Sequence, residues 1–370
     1  MDAPPAHDLT ARIAEEIRDA GGAIPFARFM ERALYEPDLG YYERGRDAVG
    51  RRGDFFTSVS VGSLFGELLA FHLAERLTTL PGFHGPEGRF QIVEAGAHDG
   101  RLARDILTFL RETRPEFAGR IAYWLVEPSA NRQEWQRETL ADWADGVRWF
   151  ASLDELPPVN GIILSNELLD AFPVHRLGWD AGAQRWFEWG VGLGDGNFVW
   201  RRLPHPTVAV PDLSAELLAV LPDGFTTEVC PTAAAWWQRA AARLETGWLL
   251  TADYGLEAPE FFLPQRALGT LRAYAQHRRS DDLLAEPGRQ DLTAQVNFTA
   301  IQGAGTAAGL STEFFGSQRR FLAGIFADTQ RPGAPFPAWT SQRVRQFQTL
   351  THPEHLGRAF SVLVQARGAP

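Results

Sequence analysis

The chain reads as an α/β fold, a doubly wound and mainly parallel sheet, and three observations lead to it. Short apolar runs recur at residues 90–93, 121–126, 147–150, 161–164 and 248–252. They are continuous rather than alternating, which suits parallel strands buried on both faces. Between the first two runs, Leu102, Ile106, Phe109 and Leu110 stand at helical spacing, as a crossover helix between parallel neighbours requires. Several runs also end in polar side chains, at Glu94, Glu127, Ser165-Asn166-Glu167 and Asp253. Ligands of open α/β sheets gather beyond such carboxyl ends, so Gly96, Glu127 and Asn166 should face one cleft.

Taken in order, Leu9, Ile13 and Ile17 define a helix over 9–20 that Gly21-Gly22 stops, and a second helix over 24–34 is entered through Pro25. A long irregular stretch follows, from Gly40-Tyr41-Tyr42 to Gly53-Asp54-Phe55-Phe56-Thr57-Ser58, either a functional lid or a flexible connection. A helix over about 61–80 leads into the first core strand. Residues 174–229 alternate aromatic strands with glycine turns and read as an inserted meander. Residues 269–298 read as a charged, glycine-bearing loop, 299–308 as a helix and 360–365 as a last strand compatible with an antiparallel edge pair. Four segments result: N-terminal helices and lid loop in 1–60, the ligand-binding core in 61–185, an aromatic insertion in 186–247, and completion of the core sheet with an accessory lobe in 248–370.

With 370 residues, 45% of them hydrophobic, the chain can bury a large core and carry a further lobe. Cys230 is the single cysteine, and the nine histidines show no H-E-x-x-H spacing, so neither a disulfide nor a metal is expected. One cysteine and no signal-like opening point to the cytoplasm. No window of eighteen apolar residues predicts a membrane span, and a net charge of −10 argues against nucleic acid while tolerating a cationic partner. A homodimer is compatible with the chain. The cluster Trp179, Trp186, Trp189 and Trp200 is core packing on one reading and a substrate wall on another.

The stretch FQIVEAGAHDGRL, residues 90–102, carries the chemistry. A buried strand ends in Glu94 and breaks into a turn with Gly96 and Gly100, where glycine lets backbone approach a ligand. A dinucleotide fingerprint needs three glycines, but the positions are Gly96, His98 and Arg101, so a cofactor with ribose and no phosphate fits better. S-adenosylmethionine is such a cofactor. Glu127, at the next strand tip, can grip both ribose hydroxyls, and Glu94 can serve the amino-acid end.

The motifs together resemble the MidA-like family of class I S-adenosylmethionine-dependent methyltransferases, relatives of the mitochondrial complex I assembly factor that methylates arginine. The resemblance runs through Gly53-Asp54-Phe55-Phe56-Thr57-Ser58, Leu64-Phe65-Gly66-Glu67, the Glu94 turn, Glu127-Pro128-Ser129, Ser165-Asn166-Glu167-Leu168-Leu169-Asp170, Asp253-Tyr254-Gly255, Gly269-Thr270-Leu271-Arg272 and Asp291-Leu292-Thr293-Ala294. It implies a Rossmann-like methyltransferase sheet with a helical lid, cofactor or acceptor contacts from Asn166, and lid closure by Asp54 and Thr57. This chain departs from the family at Val59-Ser60, where Pro-Glu is usual, and at His98, where the middle glycine is usual.

Methyl transfer from a sulfonium depends mainly on alignment, but a protonated guanidinium also needs carboxylates to orient it and receive its proton. Glu167 and Asp170 are the candidates, sharing one face if their segment opens a helix. First-turn acids that stabilise a helix N-terminus are the alternative. The leading expectation is a protein arginine methyltransferase; a small-molecule O- or N-methyltransferase and a non-catalytic cofactor-binding assembly factor are the rivals.

Overall fold

The computed structural model describes residues 7–44, 57–85, 88–275, 278–353 and 356–369, and the chain divides into two compact units. One unit holds residues 56–168, 235–255 and 300–370; the other holds 1–55, 169–234 and 256–299.

The first unit is the doubly wound sheet. Its strand order is Ser311–Ser317, Phe360–Arg367, Leu244–Leu256, Val159–Asn166, Phe90–Ala95, Ile121–Val126, Val147–Phe150. The five strands from Leu244–Leu256 to Val147–Phe150 run parallel, and the remaining two form the antiparallel edge. Phe90–Ala95 pairs with Ile121–Val126 on one side and Val159–Asn166 on the other, so the winding reverses at this strand. That reversal opens a crevice at its carboxyl end. Helices Leu64–Thr79 and Arg101–Thr113 bury Leu68, Phe71, Leu102, Ile106 and Phe109 in a core shared with Ile92, Leu125, Ile162, Leu250 and Val364.

The second unit is built on an antiparallel sheet ordered Ala23–Pro25, Arg185–Gly194, His175–Asp180, Thr226–Val229, with Asn197–Arg202 on the flank of Arg185–Gly194. Helices His7–Asp19 and Phe26–Tyr35 pack Ile13, Ile17, Phe29 and Met30 into a core with Val174 and Val191. Pro25 is extended, with ψ 146°, so residues 23–25 pair as a strand where the sequence suggested that the second helix had already begun. Trp179 and Trp186 are buried with centroids 5.3 Å apart, and the half-buried Trp189 and Trp200 lie 5.0 Å from Phe187 and 5.1 Å from Phe26, so all four tryptophans pack within this unit.

Residues 269–298 carry a three-stranded sheet ordered Arg278–Ser280, Arg272–Ala275, Asp291–Thr293 rather than loop alone. Among the described residues no helix is long and apolar enough to cross a membrane.

Candidate active site

At the tip of the first core strand, Glu94 is 3% exposed and accepts a 2.5 Å hydrogen bond from the Tyr123 hydroxyl. Burial is the main influence and pushes its carboxyl up to about 7; Tyr123 opposes this, and Asp99 and Asp105 add to it. The turn beyond is held by backbone bonds from Gly96 N to Val126 O and from Gly100 N to Ala97 O. Gly96 and Gly100 have φ 71° and 82°, the left-handed region that glycine enters without strain. Asp99 is buried yet held below the ordinary carboxylate value: burial pushes it up, and His98 and Arg101 outweigh that, Arg101 Nε lying 2.8 Å from Oδ2.

Glu127, at the second strand tip, is 1% exposed. Its Oε1 accepts from Ser129 N at 3.0 Å and Arg132 Nε at 2.9 Å, and its Oε2 accepts from Gln136 Nε2 at 3.2 Å. The same Gln136 amide donates to His98 O at 3.0 Å, while Trp149 Nε1 donates to Gln136 Oε1. The expected ribose-binding acid therefore already has three donors. A carboxylate offers about four acceptor positions, so a hydroxyl pair would share Glu127 with Arg132 and Gln136 or displace one of them.

The fourth core strand ends at Asn166, whose Oδ1 is buried and accepts no hydrogen bond among the described residues. Asn166 Nδ2 donates to Glu167 Oε1 at 3.0 Å, and Ser58 N donates to the same oxygen at 3.3 Å. Ser58 is itself buried, its hydroxyl donating to Gln318 Oε1 at 3.1 Å. Asp253, fully buried, accepts from Leu168 N at 3.1 Å and Tyr254 N at 2.8 Å, so its carboxylate fastens the chain at the strand edge.

The segment after Asn166 does not open an α-helix. Glu167 adopts φ 53°, and only a short 3-10 turn follows at Leu169–Ala171, so helical i, i+3 spacing does not place Glu167 and Asp170 on one face. Asp170 falls in the other unit, 7% exposed, and its carbonyl accepts from Ala294 N at 2.9 Å. Thr57 forms a reciprocal turn: Ser60 N donates to Thr57 Oγ1 at 3.1 Å and Thr57 N donates to Ser60 Oγ at 3.0 Å. Ser60, one of the two departures from the family pattern, thus closes the turn with its hydroxyl. Asp54 lies outside the described residues.

Sequence reasoning named the acids at the strand tips but not their partners Tyr123, Arg132, Gln136 and Ser58. Tyr123 carried a usable signal, since a tyrosine inside an apolar parallel strand needs a partner for its hydroxyl.

The donor set fits a cationic nucleoside cofactor. Two buried carboxylates, an unpartnered buried carbonyl oxygen at Asn166 and a glycine turn stand at neighbouring strand ends of one sheet. The profile of a family described as S-adenosyl-L-methionine-dependent methyltransferase, Methyltransf_28, matches residues 68–316. The chain belongs to this family. It is similar to the mitochondrial protein arginine methyltransferase NDUFAF7 homolog of Drosophila melanogaster, 30% identical over 76% of this chain and 66% of that protein. The corresponding protein of Danio rerio is 29% identical over 94% of this chain and 85% of its own length. A Burkholderia thailandensis structure with S-adenosyl-homocysteine bound superposes with a TM-score of 0.82 at 33% identity, covering 100% of this chain and 96% of that one.

This methyltransferase uses S-adenosylmethionine, as its family and the liganded Burkholderia structure establish. The cytoplasmic location expected from the sequence is corrected by the same comparison, because the animal relatives are named mitochondrial.

Proposed function

We propose that this methyltransferase modifies the arginine side chain of a protein. The supporting observation is the half-buried Glu167 carboxylate beyond the fourth core strand, whose donors include the neutral Ser58 N–H and Asn166 amide. Such a carboxylate can pair with an incoming guanidinium, orient its plane and accept a proton as the nitrogen is methylated. The relatives in fly and zebrafish, named protein arginine methyltransferases, support the same reading.

The cofactor supplies an electrophilic methyl group. In this reading Glu94 and Glu127 serve its amino-acid and ribose ends, Gly96 and Gly100 leave room for it, and Asn166 Oδ1 accepts one of its donors. Thr57 closes over the methionine end of the cofactor. Alignment of nucleophile, methyl and sulfur by these residues accounts for most of the acceleration.

The test is transfer of labelled methyl from S-adenosylmethionine to arginine-containing proteins, followed by hydrolysis and amino-acid analysis. Label in methylarginine supports the proposal. Label recovered only in low-mass acceptors would overturn it in favour of a small-molecule methyltransferase.

A further inference from the structure

Three residues of the turn after the first core strand have positive φ: Gly96 at 71°, His98 at 47° and Gly100 at 82°. Two are glycines, which enter this region without strain, and one is a histidine, which enters it at a cost in stability. A strained side chain retained between two glycines calls for a role that glycine could not fill.

The surroundings indicate that role. The His98 carbonyl is tied at 3.0 Å to the Gln136 amide, which also reaches Glu127 Oε2 at 3.2 Å. His98 is therefore one amide group away from the acid proposed to hold the ribose. Its ring centroid lies 6.1 Å from that of Trp135, on the helix Ala130–Thr139 that follows that acid. The imidazole stays 26% exposed, with Nδ1 turned to the Asp99 carboxylate, 3.8 Å from Oδ1. Nε2 is then the ring nitrogen that can meet a ligand lying along the turn.

We infer that His98 is a cofactor-contact residue whose imidazole touches the adenosine half of S-adenosylmethionine. A ring nitrogen can donate to or accept from a ribose hydroxyl, and the ring face can cover the edge of the nucleoside. Glycine at this position would relax the backbone and lose the contact. The inference rests on the cofactor placement proposed above and is independent of the methyl acceptor.

The experiment compares wild type with His98→Gly and His98→Asn; asparagine also tolerates left-handed φ but lacks the ring. Calorimetry with S-adenosyl-homocysteine and with 5′-methylthioadenosine is paired with thermal unfolding in the absence of ligand. His98→Gly should unfold at or above the wild-type temperature. Both variants should bind both ligands more weakly by a similar factor, about fivefold to tenfold for one lost polar contact. If His98→Gly fails to fold, His98→Asn alone decides. Binding as tight as wild type would overturn the inference. Weakening confined to S-adenosyl-homocysteine would overturn the adenosine assignment, because the contact would then lie at the amino-acid end. Wild type that binds neither ligand would overturn the cofactor placement and this inference together.

Discussion

The Tyr123 hydroxyl donates to Glu94 Oε2 at 2.5 Å with both side chains out of solvent. Burial, and then the proximity of Glu94, raises Tyr123 well above its ordinary value, so the phenol remains the donor throughout the working range of pH. The proton that can move is the one on Glu94.

That proton couples stability to pH. Glu94 titrates near 4.5 in the unfolded chain and at about 7 in the fold, so between these values the folded state binds more protons. Its contribution is fully present below about 4.5 and is lost as pH rises through about 7, an effect on the order of 3 kcal/mol. Glu94→Gln keeps an acceptor for Tyr123 and does not titrate. The variant should stand closest to wild type at or below about pH 4 and exceed it in denaturant unfolding at pH 8. Parallel stability profiles for the two proteins would rule this coupling out.

Glu127→Ala should be strongly destabilising, by about 3 kcal/mol or more, because it leaves the buried Arg132 guanidinium and the Gln136 amide without their carboxylate. Loss of cofactor binding in that variant would therefore not isolate a ribose contact. Glu127→Gln retains an acceptor and should fold. We expect it to bind S-adenosyl-homocysteine about tenfold more weakly by calorimetry. A Glu127→Ala protein as stable as wild type would contradict the ion-pair argument.

Glu167→Gln preserves an oxygen for Ser58 N and for the Asn166 amide, so stability should stay within about 1 kcal/mol of wild type. Methyl transfer should fall by about a hundredfold or more if the carboxylate receives the acceptor's proton. Cofactor affinity should be unchanged. An equal fall in affinity for S-adenosyl-homocysteine would instead make Glu167 an anchor for the segment that begins at Thr57.

The core strands were legible because parallel strands buried on both faces are continuous apolar runs, and the acids that end them mark the crevice side directly. The extent of each strand was less so: 161–164 is the middle of Val159–Asn166, and 248–252 the middle of Leu244–Leu256. Ser311–Ser317 escaped notice because it is an edge strand with its first residues exposed, and Arg272–Ala275 because four residues are too few for an alternation to stand out. The condition under which Glu167 and Asp170 would share a helix face failed on a single backbone angle, the positive φ of Glu167, which no pattern of residue types reveals. Arg132 on Glu127 was hidden for another reason: side-chain direction across a strand-to-helix turn is set by packing, not by spacing.

Gly247 makes the closest backbone approach in the sheet. It pairs with Gly161 in the parallel register, where a Cβ on Gly247 would lie 1.8 Å from Gly161 O, and a Cβ on Gly161 would lie 2.1 Å from Gln91 O. Three neighbouring strands are thus stacked through backbone at one level, and the atoms in the way are carbonyls that cannot rotate aside. Gly247 also has φ 125°, which an alanine rarely adopts. Gly247→Ala should therefore cost on the order of 3 kcal/mol or more, through a displaced strand pair as well as strain. Gly303 supplies the contrast: it lies in the helix Phe298–Ala307 with nothing within 4 Å of an added Cβ. There the same substitution should stabilise by about 0.5–1 kcal/mol, since alanine has less backbone freedom to lose on folding. Denaturant unfolding of the two variants should move in opposite directions from wild type. Equal shifts would mean that the strand starts relax around an added methyl, and that the glycines there are not required by the sheet.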